Sequence, residues 1–276
     1  MNQPDEAGTD RDFIQSIERG FTVLLAFDED APTPSATEIA DRTGLSRPAV
    51  RRILLTLQRL GYVRGLGSRW TLTPRVLMIG AHFAATHDIV KVAQPHLQRL
   101  TELTHESSSL SQLDGTSAVC VGRVHVHRIM GLNVEIGTRL PLHATSMGRV
   151  LLAWADPSVV GEAVEGQRLE ALTPHTVTDP VEFRDVLHDV RTKGYAVVDS
   201  ELEIGFLSAA VPLRAPTGEV VAALAYSTSR VRHTAAEVES EAVPHLIEIA
   251  AAIESDYAAA GDVRNRLTSG RRDGFF

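Results

Sequence analysis

The sequence predicts an α+β protein in two parts: a small helical domain closed by a β-hairpin, then a larger domain built on a mainly antiparallel sheet with helices at its sides. Three observations carry this. Residues 35–61 read as helix, glycine break and second helix. From Ser46 to Arg75 there are seven arginines and no Asp or Glu, in a chain of 276 residues with a formal net charge of -8. From residue 89 onward strand-type apolar runs replace the arginine-rich pattern.

Residues 1–12 are polar and acidic and are expected to be disordered. F-I-Q-S-I-E-R-G-F-T-V-L-L-A-F (13–27) has helical apolar spacing and opens a domain expected to span 13–74. Ser35 and Glu38 form a capping-box start, with Ala36, Ile39 and Ala40 on one small apolar face. Gly44 supplies the left-handed residue that ends this helix. Ser46 is placed to cap a second helix with Pro48 in its first turn, where a missing N–H costs nothing. Val50, Ile53, Leu54, Leu57 and Leu60 make its core stripe, and Arg47, Arg51 and Arg52 project away from it. Two short strands around Gly65-Leu66-Gly67-Ser68 then form a hairpin flanked by Arg64 and Arg69.

This is the pattern of a winged helix-turn-helix whose second helix enters a DNA major groove. A solvated helix face would normally mix charge signs. A local excess of positive charge on an acidic chain is the footprint of a phosphate-contacting surface. Double-stranded DNA is therefore the expected partner. Arg47, Pro48, Arg51 and Arg52 are expected at the groove, and Arg64 and Arg69 at the backbone or minor groove.

Pro74 closes the wing, and residues 75–88, with Val76, Ile79, Phe83 and Ala84 at helical spacing, are expected to form a linker helix and dimer contact. The domain expected over 89–260 begins with a helix at 89–105. Strands follow at 108–113 and 117–126 around Asp114-Gly115-Thr116, then at 130–136, 195–199, 207–214 and 219–227. Helices fit 146–155, 157–165, 180–193 and 234–258, and the tail from Gly261 (261–276) is expected to be unstructured.

An apolar content of 43% supports two cores, and 22% charged residues is ordinary for a soluble chain. The one cysteine, Cys120, rules out an intramolecular disulfide and points to a reducing compartment; its apolar run makes it a buried small hydrophobe. The acidic start is unlike a signal peptide, and no run of about 18 apolar residues occurs. A cytoplasmic location, without a membrane partner, is expected.

The sequence resembles the IclR-type bacterial transcriptional regulators from about Ser16 to Tyr257. The resemblance rests on S-I-E-R-G-F-T-V-L-L-A-F (16–27), L-T-L-Q-R-L-G-Y (55–62) and L-T-P-R-V-L-M-I-G (72–80). In the second domain it rests on R-I-M-G-L-N-V-E-I-G-T-R-L-P-L-H-A-T-S-M-G-R-V-L-L-A (128–153) and G-Y-A-V-V-D-S-E-L-E-I-G-F-L-S-A-A-V-P (194–212). It implies a winged helix-turn-helix, a linker helix and a C-terminal GAF/PAS-like mixed sheet with flanking helices that binds a small effector. It also implies homodimers or tetramers on palindromic operators. The R-I-M block, L-P-x-H-A-T-S-M-G-R and E-L-E-I-G look most like regulators of aromatic-acid catabolism, those answering to protocatechuate, 4-hydroxybenzoate or β-ketoadipate-pathway intermediates.

The resemblance places Ser146 and Met147 at a helix start facing the effector, where free backbone N–H groups favour an anion. Asp199, Glu201 and Ser208 lie in or beside the matching loop and strand, and Ala225 and Ser227 alternate onto one sheet face. Relatives often carry a polar residue at the Ala225 position, so alanine removes one ligand hydrogen bond. Arg128 suits bidentate capture of a carboxylate, or else pairs with Glu135 or Asp199. The expected effector is thus a small carboxylic acid.

Two alternatives stand beside this reading. His125 and His127 share a strand face and could chelate a transition metal, which would make a metal-responsive regulator, although no third ligand stands at recognisable spacing. A GAF-type enzyme would need a catalytic motif, and no G-x-S-x-G elbow, P-loop or H-E-x-x-H occurs. No cofactor, metal or enzymatic activity is expected.

Overall fold

The computed structural model describes residues 13–28, 31–126, 134–166 and 168–269. The chain forms two compact units, residues 1–85 and 86–276.

The first unit begins with α1 (Gln15–Leu25), α2 (Ala36–Thr43) and α3 (Arg47–Leu60). The capping box at Ser35 and Glu38 is closed in both directions, and Gly44 ends α2 in the left-handed region. Ser46 occupies the N-cap of α3, but its hydroxyl makes no capping bond; Pro48 in the first turn leaves one fewer N–H to satisfy. Val23, Ile39, Val50, Leu54 and Val63 form the centre of this small core.

The wing is β1 (Val63–Leu66) paired antiparallel with β2 (Arg69–Leu72). Its register takes Gly65 and Leu66 into the strand, so the turn contracts from the four residues expected to Gly67 and Ser68. Gly67, at φ 63°, supplies the positive dihedral that such a tight hairpin turn requires.

The helix expected over 75–88 is interrupted. Pro74–Val76 is a 3-10 turn capped by Thr73, and α4 covers Leu77–Thr86. Proline at the first position favours this tight opening turn, since its ring fixes φ and it brings no N–H. Leu77, Met78 and Ile79 on α4 are all more than half exposed, as are Phe13, Ile14, Ile17 and Phe21 in and before α1.

The second unit opens with α5 (Asp88–Thr104) and then builds a six-stranded sheet. Its strands are β3 (Ser107–Asp114), β4 (Ser117–Val124), β5 (Arg139–Pro141), β6 (Ala196–Asp199), β7 (Phe206–Arg214) and β8 (Val220–Ser229). The spatial order is β5-β4-β3-β8-β7-β6, and every pairing is antiparallel.

The strand expected at 130–136 falls mostly outside the described residues. The part that is described, Val134 to Ile136, carries no strand; a turn closed by Thr138 N–H to the Glu135 carbonyl precedes β5, and Gly137 N–H and the Thr138 carbonyl already bond Cys120 of β4. Gly137, at φ 94°, makes that turn accessible.

Helices cover both sheet faces. Leu97 and Leu100 of α5 and Leu246, Ile249 and Ile253 of α10 (Val243–Ser269) pack on one face, against Leu110, Leu207, Leu213 and Leu224. On the other face lie α6 (Ser146–Ala153), α7 (Pro157–Val164) and α8 (Pro180–Lys193), against small residues: Ala118, Cys120, Ala210, Ala223 and Ala225.

The helix expected over 234–258 starts at a capping box, Thr234 with Glu237, but is not uniform. After a single turn, α9 (Ala235–Glu237), a π-helical stretch over Val238–Ala242 precedes α10. Pro244 explains the widening, because its ring clashes with the carbonyl four residues back and supplies no N–H. The tail expected to be unstructured from Gly261 is corrected: α10 runs to Ser269. One glycine costs a helix about 1 kcal/mol and does not by itself end it, and no proline follows.

Candidate functional site

On α3 the apolar stripe is buried through Val50, Leu54 and Leu57, which turns Arg47, Pro48, Arg51 and Arg52 outward into solvent. Arg64 on β1 is exposed as well. Arg69 has different surroundings: its Nε–H donates to the Thr33 carbonyl at 2.5 Å, and its Nη2 donates to both oxygens of Glu38 at 3.0 Å. Among the described residues it is the one member of the expected DNA-contacting set whose side chain hydrogen-bonds back onto its own domain.

In the second unit the face under α6 is lined with serines and alanines. The register places Arg123, Ser109, Ala225 and Ala210 in one row across β4, β3, β8 and β7. The next row holds Ser107, Ser227 and Ser208, with Val198 on β6. On the other side of the Ser109 row lie Cys120, Ser111 and Ala223. Strand alternation turns all these rows toward α6.

The N-terminus of α6 lies across these rows. Ser146 is fully buried and its hydroxyl donates to Ser208 Oγ at 2.9 Å. Ser111 Oγ–H donates to Met147 Sδ at 2.9 Å. Thr145 caps the helix by accepting the Gly148 N–H. Gly148 has a steric reason: a Cβ built there would lie 2.4 Å from Leu142 Cα and 2.4 Å from its carbonyl oxygen. Only glycine lets α6 come this close to the preceding chain.

Ser146, Met147, Ser208, Ala225 and Ser227 are thus brought together as expected from sequence. Asp199 is not. It stands opposite Leu207 in the β6–β7 ladder, one position out of phase with the Val198–Ser208 pair, and so points to the far sheet face. Its carboxylate is held there by Arg230 at 2.5 Å. Glu201 is buried, but as a structural acid. Arg149 Nη2 donates to its Oε2 at 2.5 Å and the Val177 N–H donates to the same oxygen, while Arg149 Nε–H donates to the His143 carbonyl. Burial pushes the Arg149 pKa down and Glu201 counteracts it. The repulsion that a free Glu201 would exert on an acidic ligand is therefore compensated internally.

Arg128 and His127 lie outside the described residues. His125 is hydrogen-bonded through Nδ1 with Arg123 Nη2 at 3.5 Å. No cluster of three metal-ligating side chains occurs among the described residues. The cation that the structure does place on the serine-lined face is Arg123. Its Nη1 donates to Ser109 Oγ at 3.0 Å, and its Nε–H is buried with no hydrogen-bond partner among the described residues. Burial lowers its pKa, and the charges of Cys120 and Glu135 only partly counteract this.

Sequence reading missed Arg123, Ser109 and Ser111. Although Ser108 blurs the alternation, Ser109 and Ser111 on either side of Leu110 were available as a signal of a polar sheet face. The bulge between Leu110 and Ser111, which brings Arg123 into phase with Ser109, was not.

With this geometry established, comparison with known proteins identifies the lineage. Residues 16–67 match the IclR helix-turn-helix domain, and residues 81–255 match the C-terminal domain of the bacterial transcriptional regulator IclR. The chain belongs to the IclR family. This IclR-family regulator is 37% identical over 239 residues to the Pca regulon regulatory protein of Pseudomonas putida, covering 86% of this chain and 82% of that one. It is 37% identical to the p-hydroxybenzoate hydroxylase transcriptional activator of Acinetobacter baylyi over 77% of this chain and 80% of that one. Among solved structures, a transcriptional regulator from Rhodococcus sp. RHA1 superposes with a TM-score of 0.80 at 41% identity, covering 90% of this chain and all of that one. An IclR homologue from Microbacterium hydrocarbonoxydans, solved in complex with 4-hydroxybenzoate, gives 0.79 at 28% identity over 88% and 99% of the two chains.

These matches cover both domains, so the regulator combines a DNA-binding helix-turn-helix with an effector-binding domain. No single helix among its described residues is long and apolar enough to cross a membrane.

Proposed function

We propose that this regulator controls a catabolic operon in the cytoplasm, binding operator DNA as a homodimer or tetramer and sensing a small aromatic or dicarboxylic acid. Operator contact falls to Arg47, Pro48, Arg51 and Arg52 at the major groove and to the wing at the backbone. Effector contact falls to the serine-lined face at the start of α6, with Ser146, Met147, Ser208, Ala225 and Ser227 around it.

The observation that carries the effector reading is Arg123. A guanidinium with a buried N–H that has no hydrogen-bond partner among the described residues stands beside Ser109 on a face of hydroxyls and small residues. A carboxylate there gains charge-assisted hydrogen bonds, and the N–H groups of the first turn of α6 add a favourable dipole. The relatives named for the Pca regulon and for p-hydroxybenzoate hydroxylase, and the 4-hydroxybenzoate complex, favour an aromatic acid within this class. Arg128 is the second candidate for the counter-charge.

Calorimetry of the full-length protein against protocatechuate, 4-hydroxybenzoate and β-ketoadipate tests the assignment. One of these acids is expected to bind, with the affinity lost in Ser146→Leu and strongly reduced in Arg123→Ala. Binding that survives both changes places the effector elsewhere, and Arg128→Ala shows which arginine holds the carboxylate.

A further inference from the structure

The two strand arginines of the wing have opposite surroundings. Arg64 is exposed, and among the described residues its side chain has no hydrogen bond or ion pair. Arg69 reaches across to the segment that precedes α2. Its guanidinium holds the Thr33 carbonyl with Nε–H and both carboxylate oxygens of Glu38 with Nη2. The backbone joins there as well: Trp70 N–H donates to the Pro34 carbonyl at 2.9 Å, and Ser35 forms an antiparallel bridge with Arg69.

Glu38 is thereby used twice. One of its oxygens accepts the Ser35 N–H at 2.6 Å to close the capping box of α2, and both accept from the wing arginine. The Ser35 hydrogen bonds and Arg69 together keep its carboxyl below the ordinary glutamate range. A guanidinium whose charge already faces a carboxylate, and whose fork is turned toward α2, offers little to a DNA phosphate.

We propose that Arg69 and Glu38 are positioning residues, a clamp that ties the wing to the N-terminus of the first helix of the helix-turn-helix, so that Arg64 is the wing's phosphate contact. The proposal rests on the reading of this unit as the DNA-binding domain. It reverses the simple expectation for Glu38. Removing a negative charge from a DNA-binding face ordinarily strengthens binding, whereas unlocking a clamp weakens it. An exposed pair adds little to global stability, so the variants fold and report on wing position.

The test uses the full-length protein and a duplex that it selects from a random-sequence pool, read by fluorescence anisotropy across a salt series, with circular dichroism to verify folding. Arg64→Ala should lower the slope of log affinity against log salt by about 0.9, the value of one phosphate contact. Arg69→Ala and Glu38→Gln should each weaken binding, by roughly fivefold, and the double variant should be no weaker than either one, as for partners in one interaction. Tighter or unchanged binding by Glu38→Gln, or losses that add in the double variant, would overturn the clamp and make Arg69 a direct contact. Arg47→Ala and Arg51→Ala controls that both leave affinity intact would instead overturn the recognition-helix reading on which the clamp depends.

Discussion

At Gly148 the chain tolerates no side chain, because the nearest atoms to an added Cβ are the backbone of Leu142 at 2.4 Å. Backbone cannot rotate away as a side-chain tip can, so Gly148→Ala must displace α6. Overpacking of this kind typically costs about 1–3 kcal/mol. Urea unfolding of the variant should show that loss, accompanied by weaker binding of the acid, because Ser146 and Met147 move with the helix. Unchanged stability would contradict the close approach of Leu142 to α6. Cys120 shows the opposite kind of constraint. It is fully buried against the small-residue face, and burial raises its thiol pKa, which fits the inert hydrophobe read from its apolar run. Residue identity alone could not separate Asp199 from Ser208. Both sit in matched motif blocks, but a pleat has two faces, and only the pairing of Val198 with Ser208 shows that Asp199 faces away.

At the scale of elements, what was legible was what chain-local chemistry decides. The capping box at Ser35, the left-handed stop at Gly44, the stripe of Val50, Leu54 and Leu57, and the hairpin turn after Asp114 all follow from nearest neighbours. The bulge that aligns Arg123 with Ser109, the π-helical widening before Pro244 and the late start of β5 depend on partners distant in sequence or on local strain, and they left no periodic trace. The recognition helix belongs to the legible class, and its prediction is correspondingly specific. Arg47 and Arg51 stand one turn apart on the exposed face of α3, as a helix reading adjacent base edges requires. Changing either to Ala should cost about 1–3 kcal/mol of operator affinity and relax sequence choice at one base position. Selection from a random pool with each variant measures this, and an unaltered consensus for both would remove α3 from the groove.

At the scale of the whole molecule, an apolar face of the first unit is exposed. Ile17, Phe21, Leu24, Ile53, Leu60 and Ile79 line a groove of about 700 Å³, and Leu77 and Met78 of α4 are exposed beside Ile79. A contiguous apolar patch of this kind suits an interaction surface, and the homodimer proposed above would seat a second copy on it. Phe21→Glu should therefore shift the protein toward monomer in light scattering and lower operator affinity; a variant that remains dimeric would place the interface in the second unit. In the proposed mechanism one small acid, held at Arg123 and the start of α6, changes the affinity of the protein for operator DNA. Linkage makes it directly measurable, because an acid that alters operator affinity must have its own affinity altered by operator to the same factor. The decisive experiment is calorimetric titration of 4-hydroxybenzoate and protocatechuate into the full-length protein, alone and saturated with its selected duplex. The acid is expected to bind free and DNA-bound protein with different affinities, and Arg123→Ala is expected to weaken binding strongly in both forms and to shrink that difference. Equal affinity in both forms would contradict the proposed mechanism.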